Sequence, residues 1–77
     1  MPRDDRDAYL MVFSAALRCV VAARDFGVRF PGPEDPAASA YVTRAVRKHL
    51  GDVFDGIGPE TARRAIADAM RGGTSQG

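Results

Sequence analysis

The sequence predicts an all-α fold, a small bundle of three principal helices at about 4–26, 36–50 and 59–71. Three observations predict it. Apolar residues recur at helical spacing over long stretches. Helix starts and stops are marked by Asp-Pro, Gly and Gly-Pro signals. A Pro/Gly-rich connector and a Gly-rich tail punctuate the chain. The expected organisation is one helical domain over residues 1–71 and a disordered tail over 72–77.

The first helix opens on Asp4, Asp5 and Asp7, whose carboxylates suit the positive end of the helix dipole. Gly27 can end it in the left-handed conformation that glycine tolerates. Leu10, Phe13, Leu17, Val20 and Val21 fall on one apolar face; Val12, Ala16, Cys19, Ala23 and Phe26 fall on a second. An ordinary surface helix has one apolar stripe, so this helix is expected to be covered on more than one side. Residues 27–36 contain three prolines and two glycines and read as a stiff connector. In it, Phe30 is expected to plug the end of the core, or Val28 and Phe30 to form a docking edge. Asp35 as N-cap and Pro36 at the first helical position start the second helix. Tyr41, Val42, Ala45, Val46 and His49 share one side of it and Arg44, Arg47 and Lys48 the other. Gly51 ends it or weakens it before a short continuation through Phe54. The third helix starts at Pro59, with Ala62, Ala65, Ile66, Ala69 and Met70 as its inward stripe.

Size and composition narrow the function. A core built from 77 residues supplies only about 3–5 kcal/mol of net stability, so self-association or a partner is a natural support. Cys19 is the single cysteine and His49 the single histidine, too few for a structural zinc site or an internal disulfide. No cofactor or metal motif is present. Eleven basic residues, ten of them Arg, stand against ten acidic ones, for a net charge of +1. Nucleic-acid binding would therefore rest on a local patch. The apolar run from Ala8 to Ala23 is broken by Arg18 and is shorter than the roughly 20 residues a membrane span needs. The N-terminus carries Asp4, Asp5 and Asp7 where a secretion signal is basic, so a cytoplasmic address is expected.

One segment carries a recognisable pattern. Leu50 and Phe54 precede Gly56-Ile57-Gly58, and Pro59-Glu60-Thr61-Ala62 opens a helix that places Ile66 four residues on. Glycines permit a tight turn with positive backbone angles, and Ile57 between them can drop between two helices. The amides at the start of the following helix favour an anion. The segment resembles the helix-hairpin-helix motif. The resemblance implies contact with DNA backbone phosphates, without sequence specificity, through Gly56, Gly58 and Thr61. Asp52, Asp55 and Glu60 oppose an anion there; Arg44, Arg47, Lys48, Arg63 and Arg64 offset them if the helices present them together. A structural corner that uses Gly-Ile-Gly accounts for the same residues.

Candidates for catalysis are sparse. His49 reads as a partly buried structural residue and Cys19 as a small buried hydrophobe. Glu34 and Glu60 read as surface carboxylates, so no enzyme is expected. Two readings follow. In one, the protein contacts duplex DNA through the hairpin. In the other it is a protein-interaction module, either a homo-oligomer or a small subunit or regulator of a larger protein. That interface draws on Leu10, Phe13, Leu17, Val12, Ala16 and Phe26.

Overall fold

The computed structural model describes residues 5–27 and 34–74. Four helices follow one another: α1 (Asp5–Asp25), α2 (Pro36–Leu50), α3 (Asp52–Asp55) and α4 (Pro59–Thr74). The architecture is all-α, with three principal helices and one short one. Residues 28–33 of the connector lie outside the described residues, and with them the expectations for Val28 and Phe30.

The local signals act as their chemistry requires. Past α1, the Phe26 amide donates to the Ala23 carbonyl (3.0 Å) and the Gly27 amide to that of Arg24 (2.9 Å), with Gly27 at φ 85°. At the start of α2, Asp35 is extended and its side chain accepts from the Ala38 amide at 3.3 Å. Pro36, whose missing N–H costs nothing there, fixes the first helical angle. Gly51 closes α2 at φ 62°, its amide on the Arg47 carbonyl at 2.8 Å, and the chain turns into α3. α4 continues through Gly72 and Gly73 to Thr74, beyond the expected end at Arg71. Residues 75–77 of the expected tail lie outside the described residues.

α1 is the centre of the bundle. α4 packs along it, α2 packs against another part of its surface, and α2 and α4 touch only sparsely. The core is made of small side chains: Ala8, Val12, Ala15, Ala16, Val20 and Ala23 from α1; Ala38, Val42 and Val46 from α2; Ala62, Ala65, Ile66, Ala69 and Met70 from α4. Ile57 joins from the turn between α3 and α4. Alanine lets two helix backbones approach closely, which compensates in dispersion contacts for the small area each residue buries. Tyr9 and Phe13, stacked with ring centroids 5.9 Å apart, flank the cluster, as do Leu17, Leu50, Val53 and Phe54.

A polar clamp reinforces the α1–α4 seam. The Tyr9 hydroxyl donates to Asp68 Oδ2, and Arg71 Nη1 donates to Asp68 Oδ1 at 3.0 Å. The hydrogen bond to Asp68, then partial burial and the Asp68 charge, hold the Tyr9 hydroxyl above its ordinary pKa of 10.0.

Candidate interaction surfaces

The corner between α3 and α4 is built from the residues the sequence singled out, but not with the expected backbone. Gly56 has φ −86° and ψ −3°, a right-handed conformation, and among the described residues only Gly27 and Gly51 have positive φ. The expectation of positive angles at Gly56 and Gly58 is therefore corrected. The turn extends α3 instead: the Gly56 amide bonds the Val53 carbonyl (3.1 Å) and the Ile57 amide that of Phe54 (3.1 Å). Ile57 is buried, as its place between two glycines suggested. Gly58 is exposed, has nothing within 4 Å of where a Cβ would sit, and accepts the Ala62 amide at 3.0 Å.

The cations named for phosphate contact are distributed around this corner rather than gathered on one face. Arg44 and Lys48 border a shallow groove on the outer side of α2, beside Tyr41. Arg47 turns toward α3, where Nη2 lies 3.5 Å from Asp55 Oδ1 and the guanidinium sits 6.0 Å from the Phe54 ring centroid. Arg63 borders a cleft between α2 and α4. Arg64 and the half-buried Thr61 border a different groove, between α4 and the start of α1, with Arg6 and Tyr9. Asp68 takes Arg71 as its ion partner, and not Arg64 four residues before it.

α1 divides its two apolar faces unequally. Val12 and Ala16, expected at a protein interface, are fully buried in the chain's own core, because α2 and α4 both close on that side. The opposite stripe is only partly covered. Leu10 is 51% exposed and Val21 45%, and Phe13 and Leu17 between them are half-buried. Phe26, beyond the last turn, is 87% exposed. It borders a groove between α1 and α2 with Cys19, Tyr41 and His49.

The remaining polar candidates have simple surroundings. His49 is exposed and not partly buried as expected, at the border of the groove between α1 and α2. Cys19 is half-buried, and desolvation raises its thiol pKa, which disfavours the reactive thiolate. Glu34 and Glu60 are exposed. Among the described residues no group of three or more His, Cys, Asp or Glu is placed to hold a metal ion. Among them, too, no helix is long and apolar enough to cross a membrane.

Sequence reasoning missed the Tyr9–Asp68 bond, which joins residues 59 apart with no local signal. It also missed the Arg47–Asp55 contact, which depends on how α3 packs against α2. Compared with models of known families, with curated proteins and with solved structures, the chain has no match.

Proposed function

We propose that the protein is a non-enzymatic helical interaction module that docks on a protein partner through the outward stripe of α1. The observation that carries this reading is the pair Leu10 and Val21, each about half exposed on one line of the helix with Phe13 and Leu17 between them. A polar residue would serve a purely solvated face at lower cost in aggregation, so an apolar stripe kept at the surface fits a docking role. The partner is a second copy or a larger protein. The test is solution mass by light scattering over a concentration series, with an apolar fluorescent dye as second readout. A mass above the monomer, or dye bound by the monomer, each abolished by Leu10→Glu plus Val21→Glu, supports the reading. A clean monomer that binds no dye contradicts it.

A second reading rests on a different observation: buried Ile57 anchors a corner that leaves Gly58 and the start of α4 open to solvent. That arrangement suits backbone contact with a DNA phosphate, with Arg63 and Arg64 flanking. It predicts sequence-independent binding to duplex DNA that weakens steeply with salt and is lost in Arg63→Glu plus Arg64→Glu. Anisotropy of a labelled random-sequence duplex checks it; no binding at low salt leaves the corner a structural one.

A further inference from the structure

We propose that the cleft between α2 and α4 is a binding site for a small amphipathic carboxylate, its apolar tail on the cleft floor and its carboxylate on Arg63. The cleft exists because α2 and α4 meet only sparsely while both pack on α1. Its volume is about 440 Å³, within the roughly 300–1,000 Å³ typical of small-ligand sites. Phe54, Ile57, Ala62 and Ile66 give it an apolar floor, and Ser39 and Arg63 stand at its polar border.

The charge of the border selects the ligand's head group. Asp55 also borders the cleft, but it is held 3.5 Å from Arg47 Nη2, and that same guanidinium covers Phe54. Arg47 and Asp55 therefore offset each other, and Arg63 is the cation among the residues that line the cleft. Arg63 makes no ion pair among the described residues, and the Ser39 hydroxyl makes no hydrogen bond there. A planar guanidinium with unused donors matches a carboxylate in shape and charge. One hydroxyl nearby adds a donor, and the floor accepts an acyl chain or an aromatic ring. This site is separate from the outward stripe of α1, so it stands or falls independently of the docking role.

Sodium octanoate, below its micellar range, is a suitable probe, with 1-octanol as its neutral counterpart. Titration followed by amide chemical shifts should give saturable changes at Phe54, Ile57, Ala62 and Arg63. Arg63→Gln should weaken octanoate by up to about fivefold, as expected for an exposed ion pair, and leave octanol unchanged. Ser39→Leu, which fills the cleft from a helix position, should weaken both, with the circular dichroism spectrum confirming an intact fold. Absence of saturable shifts, shifts centred on Leu10 and Val21, or equal octanoate affinity in Arg63→Gln would each overturn the assignment. So would undiminished binding of both probes to folded Ser39→Leu.

Discussion

α4 meets α1 along a closed seam and faces α2 across an open cleft, although all three helices contribute to one core. Alanines dominate the buried positions of both helices, with Ala8, Ala15, Ala16 and Ala23 on α1 and Ala62, Ala65 and Ala69 on α4, and the Tyr9–Asp68 bond ties the two together. At the cleft Phe54 and Ile57, from α3 and the turn after it, line the space that α2 and α4 leave between them. The difference teaches that a small core can be solid along one helix pair and leave space along another.

The comparison can be broken most forcefully at Met70, the largest fully buried side chain, on the seam helix. Met70→Ala should cost about 2–5 kcal/mol, comparable to the whole stability of a chain this size, and leave it largely unfolded by circular dichroism. On the other side of the molecule, Gly51→Ala should cost about 1–3 kcal/mol, because φ 62° is strained for any side chain even though no atom crowds the new methyl. Gly58→Ala, also uncrowded but without positive φ, should shift the urea midpoint far less than Gly51→Ala.

Tyr9→Phe removes the polar clamp of the seam and should cost about 1 kcal/mol at neutral pH. The pKa of Tyr9 is raised in the folded state, so the folded chain holds that proton more tightly than the unfolded one. Its contribution is complete below pH 10.0 and is lost as pH rises through the higher folded value. Denaturation of wild type should therefore show an alkaline loss of stability that Tyr9→Phe lacks. The smallest effect belongs to Arg47→Gln. Both partners of the Arg47–Asp55 pair are more than half exposed, so the loss should stay under about 1 kcal/mol in thermal melts.

Much of this fold is legible in the sequence because its signals are local. Asp35-Pro36, Gly27 and Gly51 mark helix ends through their own backbone and side-chain chemistry, and each acts within a few residues. Periodicity also gave the inward stripe of α4 and, on α2, Val42 and Val46, while Tyr41 and His49 on the same expected side are exposed. It could not say which apolar face of α1 the other helices would cover, because that depends on tertiary packing. Nor could it say how the cations would be distributed. Arg63 and Arg64 are neighbours in sequence yet border different grooves, since consecutive helical residues point in different directions. The backbone of Gly56 was misread because glycine permits a positive φ without requiring it, and here the turn simply prolongs α3.

The central claim is that the outward stripe of α1 is kept for a partner and not for the fold. Thermal unfolding of Leu10→Glu plus Val21→Glu beside wild type, at a concentration where both are monomeric, tests it most directly. The account predicts a cooperative transition within a few degrees of wild type, since both side chains are about half exposed and neither belongs to the buried core. Loss of the cooperative transition in the double variant would show that the stripe holds the bundle together and would contradict the account.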